Sequence, residues 1–414
     1  MTNKPIVPNG YKQTKVGVIP LDWNVIFLNE KTKIQRGRFS PRPRNDPQYY
    51  GGNIPFVQTN DIVSSKGKIE KYSQTLNESG LRVSKLFPKG TILMTIAANI
   101  GFTGIIEIDM ACPDSLIGIQ CENDLHNEFL NYYFIFNQPK IDYLAEEATQ
   151  KNINLLTVNK IKIPLPPLKE QKKIAKILSF WSNAISKQEE LIKTKEENKK
   201  GLMQKLLSGE IRFDGFNGKW KKVKLFEIAK KMQSGGTPLT SNKSYYKGDI
   251  PFVKVNDITK AGKYLLSTNV SINKEALNNS SAWLVPMDSL IYSMYASVGF
   301  VSINKIEVAT SQAMINIIPN EKKVNLEYLY YCLLNFKKYI HKYVKTGTQR
   351  NLSTHTVKHF YIHSPSLKEQ QKIAGVLTIT EQKIELLKSE LIELKEQKKA
   401  LMQKLLTGEI RVKV

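Results

Sequence analysis

This chain of 414 residues is poor in the groups that mark a catalytic, secreted or membrane protein. Its three cysteines, Cys112, Cys121 and Cys332, are an odd number with no metal-ligand spacing, which suits a reducing compartment. No run of about 18 uncharged apolar residues occurs, so no membrane span is expected. Met1-Thr-Asn-Lys-Pro5 lacks an apolar signal core, so a cytoplasmic protein is expected. A Gly-x-x-x-x-Gly-Lys-[Ser/Thr] phosphate loop is missing. So is Asn/Asp-Pro-Pro-Tyr/Phe, which positions the target amino group in adenine methyltransferases. Histidines are few, and His355, His359 and His363 are spaced by four. The internal repeat described next aligns them with Leu156, Lys160 and Pro164 in a strand-like segment, where that spacing does not cluster side chains. No metal site, and no catalysis by this chain alone, is expected.

Acidic residues are also scarce, 37 against 61 Lys and Arg, for a net charge of +24. That excess favours a polyanionic partner, nucleic acid first, over a basic protein with no such role. The charge is unevenly placed. Residues 15–165 carry 17 basic and 15 acidic groups, whereas residues 213–365 carry 21 and 9. If both segments bind DNA, the second supplies more of the salt-sensitive attraction to phosphate.

What the chain has in abundance is itself. Lys199 to Arg212, Lys-Lys-Gly-Leu-Met-Gln-Lys-Leu-Leu-Ser-Gly-Glu-Ile-Arg, recurs at Lys398 to Arg411 with only Gly201 changed to Ala400 and Ser208 to Thr407. Leu168-Lys-Glu-Gln-Lys-Lys-Ile-Ala recurs as Leu367-Lys-Glu-Gln-Gln-Lys-Ile-Ala at the same offset of 199. A period that long means a duplicated domain-plus-helix unit rather than a solenoid. Between the helices, Trp220 answers Trp23, Ile250-Pro-Phe-Val answers Ile54-Pro-Phe-Val, Gly299-Phe300 answers Gly101-Phe102, and Thr348-Gln-Arg-Asn answers Thr149-Gln-Lys-Asn. Agreement falls away between these anchors, so the scaffold is repeated and the loops are not. The chain divides into a lead (1–14), a globular unit (15–165), a helical region (166–212), a second globular unit (213–365) and a second helical region (366–414).

Short β-branched runs, Ile54-Pro-Phe-Val, Thr91-Ile-Leu-Met-Thr-Ile and Ile105-Ile-Glu-Ile, read as strands. Asn127 to Tyr143 reads as a helix whose Phe129, Tyr132, Tyr133 and Phe136 belong to a core rather than to a base-stacking platform. Asn60-Asp61 and Asn256-Asp257 read as turns. After Pro-rich breaks, helices are predicted over 168–207 and 367–406, each about 60 Å long, with Gly209 and Gly408 as stops. They carry a 4-3 spaced apolar seam: Ile174, Leu178, Trp181, Ile185, Ile192, Leu202 and Leu206 in the first, and Ile373, Leu377, Ile384, Leu387, Leu391, Leu394, Leu401 and Leu405 in the second. Such a seam argues a coiled coil. An antiparallel pair within the chain is the natural closure, with pairing between chains as the competitor.

Binding residues are read from the loops. Gln35-Arg-Gly-Arg-Phe-Ser-Pro-Arg-Pro-Arg44 places Arg36, Arg38, Arg42 and Arg44 in a Gly/Pro loop, and arginine forks onto guanine or phosphate. The alternative is a solvated basic loop. The matching Gln233-Ser-Gly-Gly-Thr-Pro-Leu-Thr-Ser-Asn-Lys243 offers Ser234, Thr237 and Lys243. Homologous loops of different chemistry are what two readers of different sequences need. Gln150, Lys151 and Asn152, with Gln349, Arg350 and Asn351, combine amides with a cation. They are read either as DNA contacts or, because both copies agree, as structure or phosphate contacts.

Trp23 after Gly17-Val-Ile-Pro20, the Ile-Pro-Phe-Val segments, Thr-Gln-Lys/Arg-Asn, the Leu-Lys-Glu-Gln-x-x-Ile-Ala helix starts and the Leu-Met-Gln-Lys-Leu-Leu-Ser/Thr-Gly-Glu-Ile-Arg helix ends together resemble the specificity subunit, HsdS, of type I restriction-modification systems, from about residue 11 to 412. The resemblance implies an α+β protein of two similar α/β target recognition domains, separated by two long helices in an antiparallel coiled coil with a pseudo-twofold repeat. It implies that each domain reads half of a bipartite site in double-stranded DNA, and that the helices set the spacer and dock two HsdM methyltransferase subunits. HsdR subunits would supply ATP-driven cleavage. S-adenosylmethionine, ATP and Mg would belong to those partners, with no cofactor, metal or membrane for this chain. The competing reading is a coiled-coil adaptor that reads no DNA.

Overall fold

Ile92-Leu-Met-Thr95 is buried at every position, as a strand covered on both faces must be. It is the middle strand of the first main sheet, in a computed structural model that describes residues 7–144, 152–342 and 351–413. The sheet comprises β1 (Thr32–Arg36), β2 (Lys68–Ile69), β3 (Ile92–Thr95), β4 (Thr103–Ile106) and β5 (Leu116–Cys121), in the order β1-β5-β3-β4-β2. All pairs are antiparallel except β4 with β2. Helix α1 (Asn127–Tyr143) buries Phe129, Leu130, Tyr132, Phe134 and Ile141 in the same core. A smaller sheet is ordered Gln74–Leu76, Tyr50–Phe56, Met110–Ala111, Leu86–Phe87. The long helix α2 (Leu168–Ser208) follows.

The plan then repeats. Strands β6 (Ala229–Ser234), β7 (Tyr264–Leu265), β8 (Leu290–Ser293), β9 (Val301–Asn304) and β10 (Met314–Pro319) take the order β6-β10-β8-β9-β7, again with the outermost pair parallel. Helix α3 (Leu326–Phe336) covers them, and a second long helix, α4 (Leu367–Leu406), closes the chain. The smaller sheet has three strands here, since an isolated Val285–Val308 bridge stands where the first copy has Leu86–Phe87.

By contact the chain forms two units, Met1–Glu189 with Ser389–Val414, and Glu190–Lys388. Each unit therefore owns the beginning of one long helix and the end of the other. In the first, Ile174, Ala175 and Leu178 enter the core together with Met402, Leu405 and Leu406. In the second, Ile373, Ala374 and Leu377 enter with Met203, Leu206 and Leu207. Start meets end, so the helix segments run antiparallel within each unit. Polar contacts follow the same sense: Gln188 with Glu390 at 3.2 Å and Glu189 with Lys395 at 2.7 Å in the first unit, Glu196 with Lys388 at 2.9 Å and Lys199 with Glu381 at 2.5 Å in the second. Of the seam residues, Ile174, Leu178, Ile185, Ile192, Leu206, Ile373, Leu377, Ile384 and Leu405 are buried, while Trp181, Leu202, Leu387, Leu391, Leu394 and Leu401 are half-buried. The buried stripe is wider than the seam at the helix ends, where Met203, Leu207, Met402 and Leu406 face a domain core.

The helix ends are fastened by one device used twice. In the first unit the Glu170 carboxylate accepts from the Trp23 indole at 3.0 Å and from Arg411 at 2.8 and 2.9 Å. Arg411 also forks onto Asp22 at 2.9 and 2.7 Å and lies 5.9 Å from the Trp23 ring centre. In the second unit Glu369 accepts from Trp220 at 3.2 Å and from Arg212 at 2.9 Å twice, with Arg212 5.6 Å from the Trp220 ring. The next residue seals the strand-to-helix corner. Gln171 accepts from the His126 amide at 2.8 Å and donates to Pro166 O, as Gln370 accepts from Asn325 and donates to Pro365 O. Gly408 sits at φ +74°, and a Cβ there would lie 2.5 Å from Pro20. A left-handed stop and a close approach therefore both require glycine.

Two local readings change. Asp61 and Asp257 lie in the first turns of the helices Thr59–Ser64 and Val255–Ala261, not in turns. Their carboxylates accept the amides of Gln58 and Lys254 at 2.8 Å and also hold Ser73 and Asn269. A third-position carboxylate that satisfies free amides stabilises a helix too short to stand alone. His355 lies in the helix Thr354–Lys358 rather than in a strand, stacked on His359 at 4.1 Å, and only His363 is in the strand Tyr361–Ser364. Asn-like capping by Ser353, whose hydroxyl accepts from Thr356 N at 3.0 Å, starts that helix.

Arg411 holds Asp22 below the usual carboxylate range, so that pair contributes at neutral pH and is lost as pH falls through the folded pKa of Asp22. The Glu170 side chain is only 2% exposed. Arg411→Ala leaves it with the indole alone and is expected to cost about 2 kcal/mol of stability by urea denaturation. A loss below about 0.5 kcal/mol would show that the clasp is not structural.

Candidate nucleic-acid interface

In each main sheet the same end gathers the diverged loops. Arg36 at the end of β1 lies opposite Ile117 at the start of β5, and Leu116 lies opposite Thr95 at the end of β3. The arginine loop, the turn through Asp114 and the β3–β4 hairpin tip therefore emerge together. In the second unit Ser234 pairs with Ile315, and Ser293 with Met314, which gathers the equivalent three loops. The stems match closely. Gly37 N donates to Leu116 O at 2.9 Å and Arg38 N to Cys112 O at 3.0 Å, as Gly235 N donates to Met314 O at 3.1 Å and Gly236 N to Thr310 O at 2.9 Å. A Cβ on Gly37 would sit 2.2 Å from Pro113 O, and one on Gly235 2.1 Å from Thr310 O, so these glycines serve close packing.

Beyond the stems the chemistry departs. All four arginines of the first loop are exposed, and each also braces the loop. Arg36 donates to Asp114 O at 2.6 Å, and Arg44 Nη2 donates to both oxygens of the Asp114 carboxylate at 2.7 and 3.0 Å. Arg38 reaches Ser84 O at 3.0 Å and Arg82 O at 3.2 Å, while Arg42 reaches Pro41 O at 2.8 Å. Phe39 pins the loop from beneath, packed on Tyr49, Tyr50 and Phe56 at ring distances of 5.1–6.0 Å. Burial raises Tyr50 against the opposing pull of Arg44, so its hydroxyl stays protonated and donates to Arg44 O. The result is a braced basic rim whose four arginines remain exposed.

The second loop carries a single cation, Lys243, where the first carries four arginines. Ser234 O accepts the Trp283 indole at 3.1 Å, the Thr237 hydroxyl bonds Gln312, and Lys243 stands exposed at the start of the short helix Lys243–Tyr246. Cation density lies on flanking positions instead, with Lys231 3.8 Å from the Trp283 ring and Lys254 5.7 Å from Tyr246. Gln150, Lys151, Gln349 and Arg350 lie outside the described residues. Asn152 is exposed and bridges to Ala97, with Ile153 N donating to Ile96 O at 3.0 Å. Half-buried Asn351 precedes Leu352, whose amide donates to Met294 O at 2.9 Å. The shared Thr-Gln-Lys/Arg-Asn motif thus ends on a backbone anchor to the hairpin tip.

Sequence reasoning passed over those tips. Their signal was available: Gly101-Phe102 and Gly299-Phe300 are shared anchors, one residue after tips that differ on either side of a common alanine, Ala97-Ala98-Asn99 against Tyr295-Ala296-Ser297. The clasp glutamates, arginines and tryptophans were visible as repeated letters but not as one cluster. Among the described residues no group of histidine, cysteine and acidic side chains is arranged to hold a metal. Burial pushes the Cys121 and Cys332 thiols up to about 12 and Cys112 further, so none is an activated nucleophile. No helix among the described residues is long and apolar enough to cross a membrane.

An α+β recognition scaffold built twice, alike in its stems and unlike in its loops, is the class these features define. The chain belongs to the type I restriction modification DNA specificity domain family, whose profile matches residues 20–195 and 217–396. It is 28% identical over 430 residues to the putative type I restriction enzyme MjaX specificity subunit of Methanocaldococcus jannaschii, covering 97% of each chain. It is 26% identical to the MjaIX specificity subunit of the same organism, over 97% of this chain and 96% of that one. The crystal structure of the type I restriction-modification S subunit from M. genitalium shares the fold, with a TM-score of 0.59 at 18% identity over 98% of this chain and 99% of that one. The family match and the relatives' names support a type I restriction-modification specificity subunit, and nothing in them supports a coiled-coil adaptor that reads no DNA.

The Arg44–Asp114 pair is solvent-exposed, so Asp114→Ala is expected to change global stability by less than about 1 kcal/mol. It should nevertheless speed limited trypsin cleavage after Arg38 and Arg44. Unchanged cleavage would show that Asp114 does not brace the loop.

Proposed function

We propose that each unit reads one half of a bipartite double-stranded DNA site through the loops at its sheet end. The observation that carries this is the pairing of identical stems with different rims: basic and forked in the first unit, hydroxyl- and amide-bearing in the second. Arginine edges suit guanine and phosphate, while hydroxyls and amides suit adenine or mixed edges. Excess charge in residues 213–365 compensates for the less basic second rim by holding phosphate.

The long helices set the interval between half-sites and dock two HsdM methyltransferase subunits, and HsdR subunits join for cleavage. S-adenosylmethionine, ATP and Mg act on those partners; this chain is non-catalytic and works in the cytoplasm. Core packing accounts for the repeated leucines and methionines of 199–212 and 398–411, and the clasp accounts for their arginines. The exposed pairs Gln204/Gln403, Lys205/Lys404 and Glu210/Glu409 are left as the surface presented twice, which is what two identical partners need.

Co-expression with the cognate methyltransferase and mapping of methylated bases tests the reading. A two-part motif is expected, with half-site centres about one helical turn, roughly 10 bp, apart. One base pair added to the gap should sharply reduce methylation. Alanine at Arg36, Arg38, Arg42 and Arg44 together should alter one half-site only. Equal methylation across gap lengths, or loss of assembly in the arginine variant, would contradict the proposal.

A further inference from the structure

The two hairpin tips share a strained backbone and differ in what they display. Ala98 and Ala296 adopt φ +63° and +58°, the left-handed region that non-glycine residues rarely enter. Strain of this kind persists only where neighbours over-determine it. They do so in both units, from the same position on the strand but with different hydroxyl bonds. The Thr95 hydroxyl bonds Asn99 O and accepts from Phe102 N at 3.0 Å; the Ser293 hydroxyl donates to Tyr295 O at 3.1 Å. Gly101 N returns to Thr95 O at 2.9 Å, and Gly299 N to Ser293 O at 3.0 Å. The outer side of each tip is tied to Ile153 or Leu352, as described above. Each tip is therefore a rigid mount fixed independently of its own side chains.

The side chains on that mount are exposed and unlike. In the first unit the tip carries Asn99, whose amide makes no hydrogen bond among the described residues. In the second it carries Tyr295, 40% exposed, whose hydroxyl is likewise without a partner among the described residues. A packing role would bury or pair these groups. A lone amide and a lone phenol on pre-set backbones, beside the rims already assigned to DNA, have the form of base readers.

We infer that Asn99 and Tyr295 are specificity-determining residues, each contacting a base edge in the half-site of its own unit. The amide of Asn99 can bond an adenine edge in two places, whereas the Tyr295 phenol can make one hydrogen bond and stack its ring. This rests on the proposal that the sheet ends read DNA. It adds that the arginine loop and its less basic counterpart are each one of two reading elements.

The test uses the full chain assembled with its methyltransferase partner, and maps methylated positions across a genome. Asn99→Ala should relax one base position in one half-site, or slow methylation there by about tenfold or more. Tyr295→Ala should do the same in the other half-site, and Tyr295→Phe isolates the hydroxyl. Salt dependence should not change, because neither side chain carries charge. Melting temperatures within about 2 °C of the parent would exclude unfolding as the cause. Unchanged sites and rates in both alanine variants, with the four-arginine variant still shifting its half-site, would overturn the inference alone. Unchanged sites in the arginine variant as well would overturn the DNA reading beneath it.

Discussion

Glu170 and Glu369 have side chains only 2% exposed, and a carboxylate so far from water costs several kcal/mol unless it is paired. Each lies in the first turn of one long helix and is neutralised by an arginine just past the end of the other. The tryptophan that donates the remaining hydrogen bond belongs to the strand region that opens each globular unit. One ion pair thus closes three elements together: a helix start, a helix end and the edge of a domain. The antiparallel sense of the helix segments within each unit follows, because only that arrangement brings Arg411 to Glu170 and Arg212 to Glu369.

That constraint explains why the repeat is so uneven in its fidelity. Segments that meet at the clasp are near copies, and many of their letters have a contact: buried leucine and methionine, a glycine in the left-handed region, glutamine on a corner amide, arginine on a buried acid. Sheet stems keep their glycines for want of room. Loop rims are held only by contacts within their own unit's loops and are free to differ. Within the second unit, burial lowers Lys263, which lies 3.1 Å from Glu327 and 2.7 Å from the Thr378 hydroxyl. Its counterpart in the first unit is Gly67, so even the scaffold tolerates a different polar core where strand, helix α3 and helix α4 meet.

Much of this was legible in the residues. Both long helices begin and end within a residue of the sequence expectation, since Pro before and Gly after fix them, and the helix Asn127–Tyr143 matches it. Legibility failed where tertiary contacts decide. The helices at Asp61, Asp257 and His355 are of five to seven residues, too short for periodicity to register, and exist because a carboxylate or hydroxyl caps them. The extra buried stripe of Met203, Leu207, Met402 and Leu406 lies outside a two-helix seam because it faces a domain. For the site, the loops with unusual composition stood out, whereas the hairpin tips did not. Their distinguishing property is a backbone angle, and alanine gives no sign of it in the sequence.

A division of labour is the central claim: scaffold and docking in the repeated helices, DNA in the sheet-end loops. Ultraviolet crosslinking of the assembled complex to its target duplex, read peptide by peptide by mass spectrometry, tests it most directly. Crosslinks are expected within residues 36–46, 97–99, 235–248 and 295–297, in both units at once. Crosslinks concentrated in 199–212 and 398–411, or confined to one unit, would contradict the account.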